Sequence, residues 1–146
     1  MVVGIVDSTG YNIVLLLHII FVIVAFGGLF LAPMLSRVDG AQTSVAAVMV
    51  KYVQRVALPA LILAGVVGFA LISMSGEKYK FDQAWIGPAM LLWLIEIALM
   101  LVGIVPAQKK VAAGDASAAK MLPMMTGVSH LILIVVVGLM VFKPGA

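Results

Sequence analysis

The sequence contains no cysteine and few charged residues, since only 10% of its 146 residues are Asp, Glu, Lys or Arg. The lack of cysteine excludes disulfides, thiolate metal sites, iron–sulfur ligation and cysteine nucleophiles together. The lack of charge excludes a water-soluble globule, because 64% of the residues are hydrophobic, whereas soluble domains carry about 25% charged residues. The composition therefore predicts an integral membrane protein.

The nine Lys and Arg residues outnumber the six acids, but they are scattered between apolar runs and form no basic face. We therefore expect no nucleic-acid partner and expect the lipid bilayer to surround the chain. The opening stretch Met1–Asp7 carries an acid instead of a basic region, and the apolar run behind it is too long for a signal peptide. We expect this first run to belong to the mature protein.

Four apolar stretches are each long enough to cross about 30 Å of hydrocarbon as a helix. They cover approximately residues 11–35, 56–74, 85–107 and 121–142. Helices are required, because lipid offers no hydrogen bonds to a bare backbone. The sequence thus predicts an all-α bundle of four transmembrane helices that forms a single membrane domain over residues 1–146.

Prolines and capping residues suggest where these helices begin, bend and end. Pro106 is expected to end the third helix, whereas Pro59 and Pro123 fall inside or at the start of helices and are expected to kink them. The second helix is expected to begin early, from about Thr43, and Asp115 is a candidate N-cap of the fourth.

Lysine and arginine are unevenly divided between the two sides of the membrane. The side of the first and third connections carries Arg37, Lys51, Arg55, Lys109, Lys110 and Lys120, and the other side carries Lys78, Lys80 and Lys143. The positive-inside rule therefore predicts that the first and third connections are cytoplasmic and that both termini are outside. With this orientation we expect a multi-pass protein of the inner (cytoplasmic) membrane.

Three ionisable side chains lie well inside the apolar stretches, namely His18, Glu96 and His130. A charge at the centre of a transmembrane helix costs about 2.5–3.5 kcal/mol, so such residues are candidates for function. The alternative for each of them is a packing role in which the side chain is satisfied by a hydrogen bond. This alternative costs little for a neutral histidine.

Helical spacing places Ala25 and, less closely, Gly28 on the side of His18, so small residues line the face beyond the imidazole. Such a face suits either close contact with another helix or a flat tetrapyrrole ligated by the imidazole. Position along the helices puts His18 and His130 within about 7 Å of the same height. Facing each other, they would hold one haem b, whereas one imidazole alone would leave an axial position open.

Glu96 is the candidate proton or hydrogen-bond partner, because a protonated buried carboxyl can donate to a histidine, a quinone carbonyl or a haem propionate. Met121, Met124 and Met125 lie below His130 at helical spacing. Thioether and imidazole together suit Cu(I), although methionine also fills apolar gaps. Copper handling is therefore one alternative function.

The Gly and Ala faces suggest another alternative, because small residues let transmembrane helices approach closely. They are compatible with a homo-oligomer or with docking on a larger membrane complex. The chain would then be a cofactor-free accessory subunit, for example of a respiratory-type complex.

The segments His18–Phe21 and Phe26–Pro33 together resemble the first helix of the HemJ-type protoporphyrinogen oxidases, which are small four-helix haem-binding membrane proteins. They resemble the CopD-like membrane proteins more loosely. Further likenesses are Pro59–Ile62 with Gly68 for the second helix, Trp85 for the third, and Lys143–Pro144 for the ending.

The resemblance implies that His18 ligates haem b and that the chain has a redox or haem-handling role in the membrane. The lysine that the family has after Trp85 is absent, because that stretch reads Gly87-Pro88-Ala89-Met90. His130 and Glu96 are candidates for replacing the family's other polar residues. The resemblance therefore carries haem binding over to this chain and leaves porphyrinogen oxidation open.

Overall fold

Four long helices account for most of the chain. The computed structural model describes Val6, residues 8–38 and residues 40–145. The helices are α1 (Thr9–Leu35), α2 (Gln42–Met74), α3 (Ile86–Ala112) and α4 (Ala116–Phe142), and each is long and apolar enough to cross a membrane. The prediction of an all-α, four-span, multi-pass membrane protein is thereby confirmed.

The outer surface of the bundle is apolar along most of its length. Large hydrophobic side chains such as Ile23, Val102 and Leu131 are more than half exposed, which would be unstable in water over so large an area. A lipid bilayer covers such a surface without cost. For brevity, the end of the bundle that holds residues 75–85 is called the outer end, and the end that holds residues 36–41 and 113–115 the inner end, after the predicted orientation.

Two of the helices contain a turn of π-helix just before a proline. Val53–Ala57 precedes Pro59 in α2, and Leu99–Ile104 precedes Pro106 in α3. Proline lacks an N–H and its ring clashes with the carbonyl four residues earlier, so a wider turn accommodates it. The expectation that Pro106 ends the third helix is therefore wrong, because the π turn absorbs the proline and α3 continues to Ala112.

The inner halves of α2 and α4 extend beyond the apolar stretches, as the sequence predicted for both. The second helix begins at Gln42, close to the predicted Thr43. The fourth begins at Ala116, where the Asp115 Oδ1 accepts hydrogen bonds from the backbone N–H groups of Ser117 (2.8 Å) and Ala118 (3.1 Å). Asp115 is therefore the N-cap of α4.

The Asp115 cap gives the fold a measurable acid sensitivity. The Ser117 hydroxyl, together with the backbone N–H groups of Ala118 and Ser117, holds the pKa of Asp115 below its usual value. Ionised Asp115 therefore stabilises the fold above about pH 3.9, the ordinary pKa of aspartate, and this contribution disappears as the pH falls through the lower folded pKa. Asp115→Asn keeps the acceptor oxygen but cannot ionise. We therefore expect its melting temperature to fall less between pH 5 and pH 3 than that of the wild type.

The small-residue face of α1 packs against α2. A Cβ on Gly28 would lie 2.5 Å from Cε1 of Tyr52, so only glycine fits there. The Tyr52 hydroxyl donates to the Val24 carbonyl and accepts from the Gly28 N–H at 3.1 Å. Ala25 is fully buried in the hydrophobic core cluster, which also includes Leu29 and Val53 and against which Tyr52 packs. At Ala25 and Gly28 the small residues thus allow close packing of α1 against α2.

Gly28→Ala is expected to destabilise the chain by about 1–3 kcal/mol, the usual cost of overpacking a close contact. The ring of Tyr52 cannot swing away without breaking both of its hydrogen bonds. Gly27→Ala is the matched control, since a Cβ there meets nothing within 4 Å. Thermal unfolding of both variants in detergent measures the difference. Equal stabilities would contradict the prediction and show that the Tyr52 ring can move aside at no cost.

Candidate functional site

His18 lies in the outer half of α1 and points at the backbone of α2. Its side chain is 8% exposed, and Nδ1 lies 2.8 Å from the Ala64 carbonyl oxygen. A carbonyl can only accept, so Nδ1 carries the proton and donates it. In the neutral ring Nε2 then keeps its lone pair and can accept a hydrogen bond or ligate a metal.

The α2 backbone leaves room for this imidazole because its neighbours there are small. A Cβ on Gly68 would lie 3.4 Å from Cε1 of His18, which is ordinary contact. Ala64 lies one turn away and is itself buried. His18 therefore makes the backbone contact expected of a packing residue, but through one nitrogen only.

The side of the bundle next to His18 holds a cavity of about 470 Å³, here called the outer cavity. Apolar and aromatic side chains form most of its wall, including Phe26, Leu61 and Trp93. Its outer mouth carries Lys78, Tyr79 and Lys143, and its deeper wall includes His18 and Glu96. The cavity is thus apolar along its sides, cationic at its mouth, and provided with two ionisable groups in its interior.

Glu96 is 1% exposed and borders the outer cavity. The Ser129 hydroxyl of α4 donates to Glu96 Oε1 at 2.5 Å. The other oxygen, Oε2, is buried and has no hydrogen-bond partner among the residues described. One turn away, Trp93 Nε1 donates to the Leu61 carbonyl at 2.8 Å and so anchors the indole. The carboxyl group therefore has one oxygen held by Ser129 and one oxygen without a partner among the described residues.

His130 lies elsewhere in the bundle. Its ring stacks on Phe30 of α1, with the ring centroids 4.1 Å apart and the planes 1° from parallel. Phe30 comes 12 residues after His18, or about 18 Å farther along the helix axis. His130 does not border the outer cavity. The structure therefore does not bring His18 and His130 together across one slot, because the first points at α2 and the second packs on the inner half of α1.

Ala25 and Gly28, the small residues predicted to line a cofactor slot, do not border the outer cavity either. Their space is filled by Tyr52 and the hydrophobic core. The three methionines divide between surface and core, since Met121 and Met124 are exposed whereas Met125 packs on the core cluster. Within residues 8–38 and 40–145 no three His, Cys, Asp or Glu side chains come close enough to hold a metal ion.

Several residues that shape the site were not predicted from the sequence as part of it. Ala64 contributes only its backbone carbonyl, for which a sequence offers no signal. Ser129 carries a signal, since it and Thr126 are the two hydroxyl side chains in a long apolar run. Lys143 lies with Nζ 4.9 Å from the ring centroid of Tyr79, which brings the end of α4 to the connection between α2 and α3 at the mouth of the outer cavity.

Comparisons with protein-family models, with curated proteins and with solved structures find no match for this chain. The assignment of a function therefore depends on the geometry of the outer cavity and on the residues quoted for the HemJ resemblance.

Proposed function

We propose that this chain is a membrane protein that binds haem b through His18 and has a redox or haem-handling role. The observation that carries the proposal is the state of the His18 imidazole. Nδ1 donates to the Ala64 carbonyl, which leaves the Nε2 lone pair on a ring that borders a cavity of about 470 Å³. Metal-ligating histidines usually donate their other N–H to a backbone carbonyl or carboxylate in this way.

The residues around the outer cavity fit a haem group. Its volume falls within the range of about 300–1,000 Å³ that is usual for small-molecule sites. The walls are apolar, as the faces of a porphyrin require, and Lys78 and Lys143 at the mouth are suited to pair with two propionates. Haem, when bound, supplies one-electron chemistry at an iron whose potential depends on its axial ligand and surroundings.

The chain's own residues determine what such a haem could do. His130 is outside the cavity, so His18 alone would hold the haem iron, which could then also bind a small molecule. Glu96 would hold or release a proton at Oε2, the oxygen left without a partner among the described residues. The excess of basic residues at the inner end supports placement in the cytoplasmic membrane with both termini outside.

The test is the absorption of protein expressed with ample haem and purified in mild detergent. The wild type should show a Soret band, and His18→Ala should remove it. His130→Ala is the matched control and should keep the band, because its ring stacks on Phe30 away from the cavity. Added imidazole should restore haem binding to His18→Ala, which separates loss of the ligand from loss of the fold.

A colourless wild type, or a His18→Ala variant that keeps the band, would contradict the proposal. Colourless protein that co-purifies with stoichiometric partners would favour an accessory subunit of a larger complex. Colourless protein that retains copper after loose metal is removed would favour Cu(I) handling through the α4 methionines.

A further inference from the structure

A second cavity, of about 230 Å³, lies in the inner half of the bundle and is here called the inner cavity. It reaches the inner end at the first connection, where Ser36, Arg37 and Gln42 border it. Its other wall is formed by α3 and α4 and includes Gln108 and Thr126. The inner cavity thus extends from the membrane surface into the interior, on the opposite end from the outer cavity.

Gln108 is the observation that assigns an occupant to the inner cavity. Its side chain is 2% exposed, and its Oε1 atom is buried with no hydrogen-bond partner among the described residues. A buried amide without a partner costs about 1–3 kcal/mol. Water relieves this cost wherever a cavity offers more than about 10–15 Å³ and polar neighbours. The inner cavity, which Gln108 borders, has both the room and the polar groups, and a turn of the Gln108 amide toward it would give Oε1 a water partner.

Three buried polar side chains, Thr126, Ser129 and Glu96, lie between the inner cavity and the outer one. Thr126 borders the inner cavity, is 5% exposed, and donates its hydroxyl proton to the Leu122 carbonyl at 2.9 Å. Ser129 follows on α4, about 4.5 Å farther along the axis, and is fully buried. Its hydroxyl donates to Glu96 Oε1, and Glu96 in turn borders the outer cavity. Hydroxyl and carboxyl groups in this order form the kind of relay that carries protons in membrane proteins.

We propose that the inner cavity is filled with water and that Thr126 and Ser129 carry protons between this water and Glu96. When a proton moves from the inner cavity to Glu96, Ser129 passes its hydroxyl proton to the Glu96 carboxylate while its oxygen takes a proton from the Thr126 hydroxyl. For this step the Thr126 hydroxyl turns from the Leu122 carbonyl toward Ser129, and Thr126 is resupplied in the same way by water from the inner end of the bundle. Every proton that leaves a hydroxyl is replaced, and no other reactant is consumed. The transfer requires no haem in the outer cavity, so it stands apart from the proposed function.

The charged and titratable groups that face this path are few in the described part of the chain. Arg37 borders the inner cavity, and the titratable residues that border the outer cavity together with Glu96 are Tyr11, His18, Lys78, Tyr79 and Lys143. A cation at the inner mouth repels hydronium but leaves water itself free to enter.

The lack of cysteine in the chain allows a clean test of the water in the inner cavity. Thr126→Cys is reconstituted in vesicles and treated from either side with a small, membrane-impermeant methanethiosulfonate cation. The variant should react several-fold faster from the inner-end side than from the outer-end side. Val128→Cys, which lies two residues away on an exposed face, should react from neither side. Equal reactivity of the two thiols would overturn the proposal.

The second test follows the proton on Glu96. Dicyclohexylcarbodiimide enters from lipid and couples to protonated carboxyl groups, and mass spectrometry of the peptide around Glu96 measures the yield. In sealed vesicles of haem-free protein, the labelling rate should rise several-fold when the pH is lowered on the inner-end side alone. Ser129→Ala should slow this response, and Ser73→Ala, which removes an exposed hydroxyl, should not. A labelling rate that does not change with the pH of the inner-end side would overturn the proposal. It would not bear on the proposal that His18 binds haem.

Discussion

Gly65→Ala is expected to destabilise the chain by about 2–6 kcal/mol, a larger effect than that of Gly28→Ala. A Cβ on Gly65 would lie 2.3 Å from Cε2 and Cζ2 of Trp93, so the indole must move. Overpacking of this kind costs about 1–3 kcal/mol. Movement also breaks the hydrogen bond from Trp93 Nε1 to the Leu61 carbonyl, and an orphaned buried donor costs about 1–3 kcal/mol more.

Denaturant unfolding in detergent measures this loss, and Gly138→Ala is its matched control. Gly138 also lies inside a spanning helix, and a Cβ there meets nothing within 4 Å. Combining Gly65→Ala with Trp93→Leu should recover part of the loss, because the clash is with the ring itself. Trp93 is one of only two tryptophans in the chain, so the fluorescence of a Trp85→Phe background reports its movement. An unshifted emission with unchanged stability would contradict the packing described.

Ser129→Ala is expected to destabilise the chain by about 1–3 kcal/mol, because it leaves the buried Glu96 carboxyl without its donor. Ser129 is fully buried and Glu96 is 1% exposed, so lipid and bulk water cannot replace the lost hydrogen bond. The double variant Glu96→Leu with Ser129→Ala should regain stability, since removing both members of a buried polar pair is often nearly neutral.

The exposed Ser73 provides the control for this comparison. Its hydroxyl donates to the Phe69 carbonyl one turn earlier, and Ser73→Ala should change the stability by less than about 0.5 kcal/mol. Denaturant unfolding of the wild type, the single variants Ser129→Ala and Glu96→Leu, and the double variant gives the coupling energy between Ser129 and Glu96. A coupling near zero would mean that the two groups do not share the bond seen in the structure.

The four helices could be predicted from the sequence because lipid imposes a length and a composition on any segment that crosses it. Asp115 could be predicted as a cap because capping depends on local sequence. The continuation of α3 through Pro106 could not, since it depends on a π turn between Leu99 and Ile104. Proline alone does not tell whether the preceding turn will widen or the helix will end.

The candidate site was only partly predictable. His18 and Glu96 could be selected because ionisable side chains are costly inside a membrane, and both border the outer cavity. The height of a residue along its helix does not give the direction of its side chain, so the pairing of His18 with His130 did not follow. Ala25 and Gly28 likewise looked like the walls of a slot, whereas Tyr52 from α2 occupies the space beside Gly28.

¹⁵N NMR of histidine-labelled protein in detergent shows whether His18 offers Nε2 to a ligand in the outer cavity. The chain has two histidines, and His130→Gln assigns their signals. We expect a His18 ring protonated at Nδ1 and bare at Nε2, with haem perturbing the His18 signals and leaving those of His130 nearly unchanged. A His18 ring protonated at Nε2, or His18 signals that do not change when haem is added, would contradict the proposal that His18 offers Nε2 to a ligand.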